Sequence, residues 1–74
     1  MIVVTGAAGF IGSNLVSRLN KEGYNNLILV DKFDNSQKNK NLEGKSFDQK
    51  MDRDVFVAWF KENGSKVDYV FHIG

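Results

Sequence analysis

The sequence predicts an α/β fold in three layers, a parallel sheet of strand order 3-2-1-4 with helices on its faces. Three observations carry this expectation. Short apolar runs alternate with amphipathic segments in the pattern β-α-β-(β)-α-β. The apolar runs are continuous rather than alternating with polar residues, as in strands buried on both faces. A glycine cluster, Gly6, Gly9 and Gly12, joins the first run to the first amphipathic segment.

The elements follow in order. Ile2–Thr5 is a β-branched run and reads as the first strand. Phe10 to about Glu22 reads as a helix, with Ile11, Leu15, Val16 and Leu19 on one stripe. Gly23 is its stop signal, and Lys21 in the last turn complements the helix dipole. Leu27–Val30 is the second strand, closed by Asp31. Strand, helix and strand within about 30 residues have the length of a βαβ unit. Asp34 to Lys50 is polar and aperiodic, so it reads as loop, with a short third strand expected within Lys45–Gln49. Asp52 is a suitable N-cap for a second helix through about Glu62, whose apolar face is Val55, Phe56, Trp59 and Phe60. Asn63-Gly64 ends it, and Val67–Ile73 is the last strand. Crossovers between parallel strands are right-handed almost without exception, which yields the order 3-2-1-4.

Composition bounds the function. At 74 residues the chain holds at most one domain. Hydrophobic residues at 42% and charged residues at 26% are a globular balance, which excludes a disordered chain. The absence of cysteine excludes a disulfide framework and a thiolate metal site and suits a reducing compartment. A net charge of +1 argues against a nucleic-acid partner. No apolar run approaches the roughly 20 residues of a membrane span. MIVVTGAAGF has no basic n-region, so no signal peptide is expected and the expected location is cytoplasmic. A core this small supplies only about 3–5 kcal/mol, so the chain reads as a piece of something larger.

The stretch from Thr5 to Gly12 carries the chemistry. Gly6 permits a tight turn out of the strand, Gly9 admits a phosphate to the backbone, and Gly12 lets the helix pack on the sheet. The helix N-terminus adds free N–H groups and about half a positive charge, which suits a pyrophosphate. The spacing G-x-x-G-x-x-G is not a P-loop, because no Gly-Lys-Ser/Thr follows. Asp31 lies at the end of the second strand, 19 residues past Gly12, where a carboxylate accepts from an adenosine ribose. Together these pieces predict the first half, and so an incomplete version, of a Rossmann-like dinucleotide-binding domain over residues 1–74.

Val4-Thr5-Gly6-Ala7-Ala8-Gly9-Phe10-Ile11-Gly12-Ser13 resembles the signature start of the extended short-chain dehydrogenase/reductases, the NAD-dependent epimerases and dehydratases of nucleotide sugars. Phe71-His72-Ile73-Gly74 resembles the end of that family's fourth strand. The stretch from Asp31 to Leu42, with Lys38 and Asn41-Leu42, and the run Met51-Asp52-Arg53-Asp54-Val55-Phe56 are similar to the branch acting on nucleotide-linked heptoses. The resemblance covers the whole chain. It implies an isomerase several times longer, an NADP (alternatively NAD) cofactor, a nucleotide-sugar substrate and a homo-oligomer. It also implies a catalytic Tyr-x-x-x-Lys, which neither Tyr24 nor Tyr69 supplies, since Ile28 and Ile73 stand four residues on. The 74 residues alone are therefore expected to be inactive. The alternatives are another extended reductase, such as a UDP-sugar 4-epimerase or a dehydratase, and a non-catalytic nucleotide-binding module.

Individual residues carry further expectations. Lys32 and Lys38 follow Asp31 and can bracket a 2′-phosphate, which favours NADP, whereas an aspartate at the strand end favours NAD. The resemblance gives the position of Lys38 a part in NADP binding and has a lysine where Arg53 stands. Solvated surface charge is the competing reading for all three. Phe10 and Ile11 offer backbone N–H groups to a cofactor while their side chains pack, and Gly74 lets the backbone pass close to it. His72, the only histidine, reads as a structural residue beside the cofactor groove. No catalytic and no metal-binding residue is expected in this segment.

Overall fold

A computed structural model describes residues 1–33 and 36–73. Four strands, β1 (Ile2–Thr5), β2 (Leu27–Asp31), β3 (Gln49–Asp52) and β4 (Tyr69–His72), form one sheet in the order β3-β2-β1-β4. All three pairings are parallel. The predicted order is thus the observed one. Helix α1 (Phe10–Lys21) connects β1 to β2, a single turn α2 (Ser36–Asn39) and a 3₁₀ turn (Lys40–Leu42) precede β3, and α3 (Arg53–Asn63) leads to β4.

The strand pleat sorts the core into two layers. Ile2, Val4, Leu27 and Leu29 point to one face and pack with Ala7, Ala8, Val16 and Leu42. Val3, Ile28 and Val30 point to the other with Met51, and Phe56, Trp59 and Val67 cover them. β1 and β2 are buried on both faces, which is why their sequences run apolar without a break.

Local chemistry sets the helix ends. The Gly23 φ of +92° and its N–H bond to Asn20 O stop α1, with Glu22 as the C-cap. Asp52 caps α3 as expected, its Oδ1 accepting from Asp54 N–H at 3.1 Å.

Several expectations are corrected. The third strand lies at Gln49–Asp52, later than Lys45–Gln49, because it runs directly into the α3 cap and buries Met51. Within the segment read as loop, residues 36–42 make helical turns, and Leu42 is buried beneath α1. Asp34 and Asn35 lie outside the described residues. The last strand is shorter than Val67–Ile73, since Val67 N–H closes a turn on Gly64 O and Asp68 N–H bonds Met1 O. Ile11 leaves the buried stripe and is 67% exposed, and Phe10 beside it is exposed as well. The first turn of α1 projects beyond the strand ends, so these two side chains do not pack. On α3, Phe56 and Trp59 reach the core while Val55 and Phe60 are exposed, Phe60 stacking on Phe56 at 5.4 Å.

Candidate functional site

Parallel strands bring the start of every crossover to one edge of the sheet, so the loops after β1, β2 and β4 meet there. A cleft of about 630 Å³ opens at that edge. The glycine loop forms its floor, with Asp31 and Lys38 to one side and His72 and Ile73 to the other. Arg53, Phe56 and Val57, from the first turns of α3, form a wall.

The three glycines have different causes. Gly6 has φ +67°, and a Cβ there would strike the Ile73 carbonyl oxygen. A Cβ on Gly12 would strike the Gly6 carbonyl oxygen. Both positions are demanded by the fold itself. Gly9 differs: its backbone is extended, with φ −73° and ψ 173°, and an added Cβ would meet only Gly6 O, at 3.4 Å. The bare backbone at Gly9 leaves space in the cleft, where the fold has no need of it.

Gly9 is also the N-cap of α1 and offers no side-chain oxygen to the helix. The first N–H of the helix bonded inward is that of Ser13, to Gly9 O at 2.8 Å. The N–H groups of Phe10, Ile11 and Gly12 therefore have no intrahelical acceptor. With the helix dipole behind them, they suit an anion at the point the glycine loop leaves open.

Asp31 is the best-connected side chain at this edge. Its carboxylate is 3% exposed as a residue and accepts from Ala8 N–H (3.0 Å), Lys32 N–H (2.7 Å) and Lys38 Nζ (2.9 Å). Burial by itself would raise its pKa, but the Lys38 ammonium and the two amide donors outweigh burial and hold the carboxyl below its ordinary value. Asn41 Nδ2 donates to Ala8 O at 2.9 Å, so the 3₁₀ turn also holds the glycine loop.

The cleft thus gathers Gly6, Gly9, Phe10, Ile11, Gly12, Asp31, Lys38 and Arg53. Lys32 does not line it; its side chain is exposed, and its backbone N–H serves Asp31. Gly74 lies outside the described residues. The cleft also takes in Thr5, Val30, Phe56, Val57 and Ile73, which the sequence does not mark as site residues. Thr5 reads as strand and Phe56 as core, and the signal for Val57 is an apolar side chain off the buried stripe of α3. His72 is held by Thr5, with Oγ1 and Nδ1 2.9 Å apart, but it is exposed at the cleft rather than packed in the strand.

The chain and its fold match known proteins. The NAD dependent epimerase/dehydratase family matches residues 2–74. The chain is 42% identical over 77 residues, 100% of its length, to an ADP-L-glycero-D-manno-heptose-6-epimerase of Brachyspira hyodysenteriae, covering 24% of that protein. It superposes on the UDP-glucose 4-epimerase of Thermotoga maritima, solved with UDP-glucose, with TM-score 0.71 and 33% identity over 99% of this chain and 23% of that one. A UDP-glucuronic acid 4-epimerase from Bacillus cereus, in complex with UDP-glucuronic acid and NAD, gives TM-score 0.75 and 32% identity over 97% of this chain and 25% of that one. The chain spans about a quarter of the length of these relatives. With its Rossmann-like sheet order and its glycine-lined cleft, the chain belongs to the NAD-dependent epimerase/dehydratase family.

Proposed function

We propose that the chain is the N-terminal, cofactor-holding portion of a nucleotide-sugar epimerase that uses NADP, acting on an ADP-linked heptose. The observation that carries the cofactor is the cleft at the ends of β1 and β2, where an uncapped helix N-terminus faces a glycine that the fold itself does not require. The 42% identity to a heptose epimerase supports the sugar. The reading places the enzyme in the cytoplasm as a homo-oligomer, in keeping with a cysteine-free chain.

When bound, the dinucleotide supplies reversible hydride removal at a sugar carbon. The residues of this chain hold and orient it. The N–H groups of Phe10, Ile11 and Gly12 take the pyrophosphate, and Gly9 makes room for it. Asp31 faces the adenosine ribose. Lys38 neutralises that carboxylate and, with Arg53 on the same cleft, gives a 2′-phosphate a cationic partner in place of a bare aspartate. The acid/base group lies outside these 74 residues, which hold no Tyr-x-x-x-Lys.

Titration calorimetry with NADP⁺ and NAD⁺ tests the reading. The expected result is binding of both, with NADP⁺ favoured. Lys38→Ala should lower NADP⁺ affinity and spare NAD⁺, since a well-formed charge-assisted contact contributes roughly 1.5–3 kcal/mol. An unchanged ratio of the two affinities would return Lys38 to the solvated surface, and no binding of either would remove the cofactor reading.

A further inference from the structure

We propose that His72 is a cofactor-contacting residue, held by Thr5 so that its Nε2–H donates to an oxygen on the second nucleotide half of a bound dinucleotide. The inference rests on the proposed cofactor reading. It begins with Thr5, which is buried at the end of β1 with 9% exposure. Thr5 Oγ1 accepts from Ile73 N–H at 3.2 Å. Its single hydrogen then has two acceptors within reach, His72 Nδ1 at 2.9 Å and Phe71 O at 3.4 Å. Assigned to the shorter of these contacts, that hydrogen makes Nδ1 the acceptor and puts the proton of a neutral imidazole on Nε2; donation to Phe71 O instead would put it on Nδ1, the tautomer that the spectrum below distinguishes. No group among the described residues pairs with Nε2, and the ring lines the cleft.

Topology gives the ring its half of the ligand. Asp31 ends β2 and His72 ends β4, on opposite sides of β1 and its glycine loop. Neighbouring strands are about 4.8 Å apart, so the two side chains start roughly 10 Å from each other across the loop. A ligand with its ribose at Asp31 and its pyrophosphate over the loop brings its second nucleotide half to β4. Gly6 fits the same design: the lack of a Cβ there lets the Ile73 carbonyl close against the loop, which draws the end of β4 up to the cleft floor.

His72 is the only histidine, so a ¹⁵N-histidine-labelled chain reports this ring alone. At pH 8.5 the two-bond ¹H–¹⁵N spectrum should show Nε2 protonated and Nδ1 bare. NADP⁺ should shift Nε2, and adenosine 2′,5′-bisphosphate, which lacks the second half, should leave it in place. In calorimetry His72→Phe should weaken NADP⁺ about 3- to 10-fold, as expected for one lost hydrogen bond. It should leave the bisphosphate unchanged, and His72→Gln, which keeps a donor, should recover part of the loss. NADP⁺ binding with the ring resonances unmoved, a Nδ1–H tautomer, or equal losses for both ligands would overturn the role of His72 and leave the cofactor reading standing. Failure of the unmodified chain to bind either ligand would overturn the cofactor reading itself.

Discussion

Gly9 and Gly6 stand three residues apart and separate what a ligand requires from what the fold requires. Gly9→Val should leave the thermal midpoint near that of the unmodified chain, because an extended backbone accepts any residue and nothing but Gly6 O is close. The same substitution should abolish dinucleotide binding in calorimetry, since the branched side chain fills the space over the helix N-terminus. Gly6→Ala should do the reverse and lower the midpoint sharply: left-handed backbone costs a non-glycine residue roughly 1–2 kcal/mol, before the collision with the Ile73 carbonyl. Asp31 sets the pH dependence. Its carboxyl is depressed in the folded chain, so its contribution to stability is complete above the ordinary carboxylate value of 3.8 and is lost as pH falls through the lower folded value. Urea unfolding of the parent and Asp31→Asn should therefore differ most at neutral pH and converge in acid. A difference that persists undiminished below pH 2 would assign the stability to something other than the charge.

The two long helices end differently at their N-termini, and the difference follows their duties. α3 carries its own cap in Asp52, and what its first turn brings to the cleft is the Arg53 side chain rather than its backbone N–H groups. Asp52→Ala should cost about 1 kcal/mol, the usual worth of an N-cap, seen as a lower urea midpoint at unchanged slope. α1 has Gly9 at the cap and no side-chain acceptor, so its leading N–H groups stay unpaired in the free chain. Gly9→Ser should cap α1 and leave stability equal or a few tenths of a kcal/mol higher while weakening binding. A loss of stability in that variant would show that the turn, rather than the ligand, requires glycine at this position.

Across the whole molecule, the two sheet edges are unequal. The β3 edge presents Gln49 and Lys50, the kind of polar and charged side chains that discourage further pairing. The β4 edge presents Tyr69, 67% exposed, and Val70, 44% exposed, on a strand with an open hydrogen-bonding side. An uncovered apolar edge recruits other chains. The 74-residue chain should therefore self-associate at high micromolar concentration in sedimentation, and Val70→Lys should return it toward a monomer. A stable monomer of the unmodified chain would show that the half-fold closes its own core. In the same preparation no sugar epimerisation should be detectable, because the 74 residues contain no Tyr-x-x-x-Lys. Turnover that co-purifies with the chain would contradict that assignment.

The sequence by itself determined the order of elements, the strand order and the glycine loop, because each follows from local rules. Continuous apolar runs mark doubly covered strands, glycines mark turns, and an aspartate before an apolar helix marks a cap. The cleft-lining residues close to those signals, Gly6, Gly9, Gly12 and Asp31, stand out in the sequence for the same reason. Only the tertiary structure decided which glycines serve the fold and which leaves space in the cleft, since that depends on what lies opposite: the Ile73 carbonyl for Gly6, open cleft for Gly9. It alone exposed Phe10 and Ile11, whose side chains are expected to pack but instead line the open cleft. It also set Lys38 on Asp31 across 7 residues and Thr5 on His72 across 67. Periodicity reports which face a side chain occupies; the partner it meets there is fixed by the crossover that folds the chain back.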